Sequence, residues 1–298
     1  MRNKIVGLIG IAVLLFLVWY LFLRPYDYLV SITAKTIPGV VNQNIKLWGK
    51  TNNNTVFIRQ KDFFNIDQQL RFNDSIFQYQ WKITSVSDST TSIRVYIKGL
   101  NQGLWNRLKI PFFDTDFEKR TKSTIFDFNN VLTEHLQKFK VTVLDSIQQL
   151  PDTYCAYVPI KTSQLGKAKG MMQNYPILSR VLADNNVILN GKPFLEITNW
   201  NREVDSVCYN FCYPIIKSDS LPQNGIIKYK KFDGFRALKA IYNGNYITSD
   251  RAWYALLDSA KRNGLEVWEK PVEVFFSNPN LGGNELDWIA EIYLPLKE

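Results

Sequence analysis

The first pattern in the chain is a continuous apolar run. Residues 5–23, "IVGLIGIAVLLFLVWYLFL", are 19 uncharged positions, long enough at about 1.5 Å per residue to cross a bilayer core of about 30 Å as a helix. The length, and the aromatic end of the run, favour a retained membrane anchor over residues 1–25 against the alternative of a cleaved signal peptide. Because Arg2 and Lys4 precede the run, we expect a cytoplasmic N-terminus and domains on the outer side of a cell membrane.

The next part of the chain alternates polar and apolar residues. A strand over 26–36 and a short helical connection precede three long alternating segments, broken by Asn, Asp and Ser clusters, which predict an antiparallel meander. In "STIFDFNNVLTEHLQKFKV" apolar residues recur in steps of three and four, with Phe139 as the last, and predict an amphipathic helix. This order over 26–140 resembles the helix-grip fold of the SRPBCC superfamily (START and polyketide-cyclase-like proteins). The resemblance implies an apolar cavity for a lipid or another hydrophobic ligand.

The second half contains an internal repeat. Segments 175–215 and 253–296 each show a helix, a Lys-Pro pair, a strand, a polar turn and a strand ending in proline. A further strand precedes each helix, so the pattern predicts two βαββ units related by a pseudo-twofold. We expect Pro176 in the first turn of the first helix and Gly264 at the end of the second.

Two stretches in this half carry a family pattern. "GNYITSDRAWYALLDSAKRNGLEVWEKPVEVFFSNP" joins a Gly-x-Tyr turn, an aromatic-rich helix and a Pro-x-Glu strand, and "DWIAEIYLPL" supplies a last strand with Glu before Tyr and Pro. Residues 141–298 thereby resemble the GyrI-like small-molecule-binding domain, the effector-binding domain of AraC-type and multidrug-sensing regulators. The chain departs from the pattern at Phe275, where the family usually has Tyr. The resemblance implies that Glu291 contacts the ligand and that aromatic residues stack on flat, often cationic compounds.

Glu291 also stands out by its position. It interrupts a strand row that is otherwise apolar, and a carboxylate without a partner there is costly unless a ligand completes it. An apolar groove between the two βαββ units would hold that ligand. The candidate ligand-binding residues are Glu291, Tyr293, Trp253, Phe275, Tyr246 and Asn210.

Several of these residues can also be explained by a structural role instead of ligand binding. An internal Lys or Arg could neutralise Glu291, or the side chain could lie near an open strand edge. Core packing is at least as good an explanation for Trp253, and Asn210 fits a satisfied strand-end amide. We expect Glu273 to be an exposed strand residue rather than a second acid.

Composition narrows the function classes. The net charge is +9, and residues 1–140 hold 19 Lys and Arg against 10 Asp and Glu. Proximity to anionic lipid explains this excess without nucleic acid, and a solvated basic face without any partner explains it equally well. The three cysteines lack metal-ligand spacing and fit buried small side chains. One histidine, His135, is expected at a solvated or boundary position. Without a Ser/His/Asp or Cys/His set, a phosphate loop or a G-x-G-x-x-G motif, we predict no cofactor and no metal.

These observations predict an α+β protein with one N-terminal transmembrane helix, a helix-grip domain and a duplicated βαββ domain. The predicted function is sensing or sequestration, at the membrane, of a small, flat and apolar molecule, with aromatic cations among the candidates. An enzyme is less favoured. The alternatives are a hydrolase that detoxifies a reactive small molecule through Glu291, and a lipid-handling protein. The sequence gives no protein partner.

Overall fold

The computed structural model describes residues 2–101, 103–223 and 225–297. It is an α+β structure with two antiparallel sheets, which confirms the predicted class. The described residues fall into two units, Met1–Thr133 and Glu134–Glu298. The helices, in chain order, are α1 Arg2–Val18, α2 Pro38–Thr51, α3 Gly103–Lys109, α4 Asp116–Gln137, α5 Lys167–Asp184 and α6 Arg251–Arg262.

In the described part of the chain, fourteen strands build the two sheets. The first sheet has the order β1-β5-β4-β3-β2 and contains β1 Tyr28–Ala34, β2 Thr55–Asp62, β3 Asn65–Phe72, β4 Ser75–Ser87 and β5 Thr90–Gly99. The second has the order β11-β8-β10-β9-β13-β14-β12-β6, with β7 also paired to β12. Its strands are β6 Phe139–Val143, β7 Gln148–Leu150, β8 Thr153–Thr162, β9 Phe194–Asn201, β10 Ser206–Pro214, β11 Lys228–Phe232, β12 Phe235–Gly244, β13 Val272–Phe275 and β14 Ile289–Pro295.

The N-terminal helix is apolar from Ile5 onwards. The π-helical turn Trp19–Leu23 extends α1, and the resulting span Lys4–Leu23 has a mean hydropathy of 2.8 with none of it buried. The helix is therefore long and apolar enough to cross a membrane, a property that a signal sequence shares.

Aromatic residues join the first sheet to its helices. Trp81 on β4 lies 4.8 Å from Phe128 on α4 and 6.0 Å from Trp48 on α2, measured between ring centroids. The Trp48 indole donates to the Asp127 carboxylate at 2.9 Å. The predicted amphipathic helix is present as α4, but the placement of Phe139 on it is wrong. Phe139 begins β6 instead, because its backbone pairs with β12.

The second unit repeats one order of elements. Strand, helix, strand and strand occur as β8-α5-β9-β10 and again as β12-α6-β13-β14, and the two sets meet antiparallel at β9 and β13. Pro176 lies inside α5 rather than in its first turn, because the helix already begins at Lys167. Gly264, at φ +63°, follows the end of α6 as predicted.

Candidate functional site

Strand register places Glu291 in a row of side chains that crosses the centre of the second sheet. Glu291 lies opposite Val274 on β13 and Ile241 on β12. Residues directly opposite each other share a sheet face. We call this surface the Glu291 face; Tyr293, Val272, Glu196 and Asn210 also lie on it, since each is opposite the next across β14, β13, β9 and β10.

Glu291 has partners within the protein. Its Oε1 lies 2.7 Å from Lys239 Nζ, and its Oε2 accepts a hydrogen bond from the Tyr293 hydroxyl at 2.6 Å. The expectation of an isolated carboxylate is therefore wrong. An internal lysine neutralises it, as the alternative interpretation proposed. The Glu291 side chain nevertheless keeps 21% of its surface exposed, so it remains accessible to a ligand.

Tyr293 is held in its protonated form. Burial raises the pKa of its phenol, and the hydrogen bond to Glu291 and the charge of that carboxylate raise the pKa further. Lys239 Nζ lies 5.2 Å from the centroid of the Tyr293 ring, within the range of a cation–π contact. Acid, phenol and ammonium thus form one group that presents both hydrogen-bond donors and acceptors.

A second acid on the same face was missed by the sequence analysis. Glu196 pairs with Lys230 and accepts from Asn210 Nδ2 at 2.7 Å, so Asn210 is a satisfied amide. Lys230 Nζ lies 5.3 Å from the Tyr157 ring centroid. Glu196 interrupts an apolar strand as Glu291 does, and that feature was the available signal. The face therefore carries two acid–lysine–tyrosine groups.

Apolar side chains cover part of this face. A buried cluster lies towards the Pro295 end of β14 and comprises Leu150, Cys155, Phe194, Cys212, Phe232, Ala237, Val272 and Tyr293. Both cysteines in it are free and fully buried as predicted, whereas the prediction is wrong for Cys208, which is only partly buried. Towards the other end of β14, Val274 and Ile241 are only partly buried and Ile289 is exposed. The face is therefore partly open to solvent at that end.

Three predicted site residues lie away from Glu291. Trp253 is fully buried on α6 with its ring 5.0 Å from that of Trp200. Phe275 alternates with Val274 on β13 and therefore points to the opposite face, where its ring lies 4.8 Å from that of Tyr246. The Tyr246 hydroxyl donates to the Ile289 carbonyl at 2.6 Å. The structure brings Glu291, Tyr293 and Asn210 to one face and places these three aromatic residues on the other.

The opposite face contains a buried ion pair. The prediction that Glu273 is exposed is wrong: its side chain and that of Lys167 are both 0% exposed. Lys167 Nζ lies 2.7 and 2.8 Å from the two Glu273 oxygens and donates to the Ser249 hydroxyl at 2.6 Å. Burial raises the pKa of Glu273, while Lys167 and the bond from Ser249 act against that rise. The pair joins α5 to β13 across the two strand–helix sets.

His135 lies beside a second buried network. Arg251 donates from Nε to His135 Nε2 at 3.4 Å and from Nη1 to Asp250 at 2.9 Å, and Asp250 accepts from Gln164 at 2.5 Å. Burial lowers the pKa of His135 to about 4, Arg251 acts in the same direction, and Asp250 opposes them. The imidazole is therefore neutral and serves as an acceptor at neutral pH.

Because the pKa of His135 is lowered in the folded protein, we expect the protein to lose stability in acid. The unfolded chain binds the proton at pH values near 6.5 and the folded chain only near 4, so stability falls as pH drops through that interval. At pH 5 we expect His135→Asn to be more stable relative to the wild type than at pH 7, by about 1–2 kcal/mol. Unfolding of the full chain at both pH values measures this difference. The exposed substitution Lys140→Gln is the control, and an equal pH response in His135→Asn and the wild type would contradict the assignment.

Two surface depressions lie elsewhere on the molecule. One of about 520 Å³ is bordered by Tyr154, Asp219 and Lys228, and one of about 370 Å³ by Trp48, Asn53 and Asp127. Neither includes Glu291. Among the described residues, no group of three or more His, Cys, Asp or Glu side chains has the arrangement of a metal site.

Comparison with known proteins gives structural neighbours only. No family model matches the chain, and no curated protein matches it. The C-terminal domain of EcmrR is similar at 16% identity over 54% of this chain and 98% of that one, with a TM-score of 0.44. SAV2435 bound to tetraphenylphosphonium is similar at 14% identity over 51% and 93%, with a TM-score of 0.37. A hydrolase from Listeria innocua is similar at 12% identity over 54% and 92%, with a TM-score of 0.33.

Proposed function

We propose that the second unit binds a small, flat, largely apolar molecule with a protonated nitrogen on the Glu291 face. The observation that carries the proposal is the partly exposed Glu291 carboxylate, 21% accessible, among the partly buried apolar residues Val274 and Ile241. A carboxylate in such surroundings attracts a cation, and the adjoining apolar surface favours a flat hydrocarbon body. The resemblance of residues 141–298 to GyrI-like domains also supports Glu291 as the residue that contacts the ligand.

Lys239 sets the condition for binding. Its ammonium already pairs with Glu291 Oε1 and lies over the Tyr293 ring. A ligand cation therefore has to displace the ammonium from both contacts. A lysine side chain is flexible and strongly hydrated, which allows the ammonium to move towards solvent. The ligand then gains the ion pair and a cation–π contact of about 0.5–2 kcal/mol. Affinity depends on how well the apolar body offsets the displacement of Lys239.

This competition predicts opposite effects of two substitutions. With 9-aminoacridine, a flat aromatic molecule whose ring nitrogen is protonated at neutral pH, as the probe cation, we expect Glu291→Gln to weaken binding about tenfold, equivalent to about 1.4 kcal/mol. Lys239→Met should strengthen binding by a similar factor, because it removes the internal competitor. Calorimetric titration of the full chain in nanodiscs, with empty nanodiscs as the blank, measures both affinities.

Two controls make the result specific. Glu266→Gln removes an acid whose side chain is 80% exposed and should leave the affinity unchanged. Acridine, which has the same flat ring system but is uncharged at pH 8, should bind the wild type and Glu291→Gln alike at that pH. Equal affinity of all variants for the cation would remove Glu291 from the proposed function.

We further propose that Lys4–Leu23 is retained and holds the protein at the membrane with a cytoplasmic N-terminus. The length and hydropathy of the span, and the basic residues before it, support this proposal. The intact mass of the protein from a membrane fraction tests retention. A mature chain that begins after residue 23 would contradict it. Ligand capture at the membrane then suits sensing or sequestration.

A further inference from the structure

The end of the apolar span is fastened to α3 by polar contacts. Arg107 on α3 donates from Nη1 to the Leu21 carbonyl at 2.7 Å, and the Tyr20 hydroxyl donates to the Arg107 carbonyl at 3.2 Å. Arg107 Nε also donates to Asp27 at 2.6 Å, and this carboxylate accepts from the Gly99 amide at 2.9 Å. Since Leu21 belongs to the last turn of the span, α3 lies at the height of that turn.

The segment from α3 to residue 113 exposes an unusual amount of apolar surface. Five of its large apolar side chains are 47–79% exposed: Leu104, Trp105, Leu108, Phe112 and Phe113. Residues 103–113 contain two basic residues and no acidic one. Five such side chains in one short segment exceed the scattered exposure that is ordinary on a soluble surface.

The segment is ordered rather than frayed. The backbone amides of Ile110 and Phe113 donate to the carbonyls of Asn106 and Lys109 at 2.9 Å each. These bonds continue the turn beyond α3 and fix the position from which Phe112 and Phe113 project. The exposed aromatic residues are thus held by the fold next to the span.

We propose that residues 103–113 insert into the headgroup region of the bilayer, in the leaflet where the span ends at Leu23. The inference rests on the proposed membrane span. Trp and Phe with neighbouring basic residues are the side chains that favour this region, and the Arg107–Leu21 contact brings them to its depth. Arg24, 4.1 Å from the Tyr26 ring centroid, extends the same interfacial belt. The first unit is then attached to the membrane at two points, which limits its tilt relative to the bilayer.

Spin-label accessibility tests this placement in the full chain. Single labels at Trp105→Cys, Phe112→Cys, Phe126→Cys and Val13→Cys are introduced in a Cys208→Ser background, and the chain is reconstituted in nanodiscs of phosphatidylcholine and phosphatidylglycerol. Position 13 lies in the span, and Phe126 on α4 is 66% exposed and serves as the aqueous control. We expect a several-fold higher ratio of oxygen to nickel-chelate accessibility at 13, 105 and 112 than at 126.

The outcomes separate the two proposals. A membrane value at 13 with aqueous values at 105 and 112 overturns the inference and leaves the span intact. Aqueous values at all four positions overturn both. A second measurement avoids new cysteines: with lipids brominated near the headgroup, the quenched share of tryptophan fluorescence should fall in Trp105→Phe relative to the wild type. An unchanged share overturns the inference even if a labelled variant fails to fold.

Discussion

Lys167→Met should lower the free energy of unfolding of the second unit by about 3–5 kcal/mol, because it leaves the Glu273 carboxylate buried without its partner. Both side chains are 0% exposed, and Lys167 contacts both carboxylate oxygens. Bulk solvent does not reach the fully buried carboxylate to replace the ammonium. In thermal unfolding of the full chain in nanodiscs this corresponds to a drop of about 10 °C in the transition that reports on this unit.

The double variant Lys167→Met/Glu273→Leu distinguishes the effect of an unpaired buried charge from the effect of changed packing at the same site. Replacing both charges by apolar groups of similar size removes the uncompensated acid, so most of the lost stability should return. The partly exposed pair Glu291–Lys239 provides the comparison. Lys239→Met should cost at most about 1 kcal/mol, since solvent screens that carboxylate. A double variant as unstable as Lys167→Met would show that packing, rather than the ion pair, causes the loss.

Local patterns predicted the types of the elements well. Alternation and three-to-four spacing depend only on neighbours in sequence, and they gave α4, the repeated strand–helix order and the shared row of Glu291 and Tyr293. They could not give the partners of these residues. Lys239 reaches Glu291 from β12 and Lys230 reaches Glu196 from β11, and both contacts depend on strand pairing between distant segments.

Strand register also determines on which face of the sheet the candidate Phe275 lies. Sequence places Glu273, Val274 and Phe275 on one short strand, but only the pairing of Val274 with Glu291 shows which of them share its face. A shift by one residue would exchange the two faces. The expectation of an exposed Glu273 failed for a related reason: helix residues cover that side of the sheet, so a charged residue there is paired instead of solvated.

Asp27→Ala should release α3 from the first unit. Asp27 is 0% exposed and Arg107 6%, so removal of the carboxylate leaves a nearly buried guanidinium and an unpaired Gly99 amide. We expect a local loss of about 3–5 kcal/mol. Hydrogen exchange of the full chain in nanodiscs should show protection of residues 103–113 reduced by about 10²–10⁴-fold.

Asp27→Asn separates charge from hydrogen bonding. The amide oxygen can still accept from Gly99, so the loss should be smaller than for Asp27→Ala. Lys122→Met breaks the exposed pair with Glu118, in which the lysine is 59% exposed, and should leave the protection of residues 103–113 unchanged. Arg107 links Asp27 to the Leu21 carbonyl. Unchanged protection in Asp27→Ala would therefore mean that contact with the bilayer, rather than this ion pair, holds the segment in place.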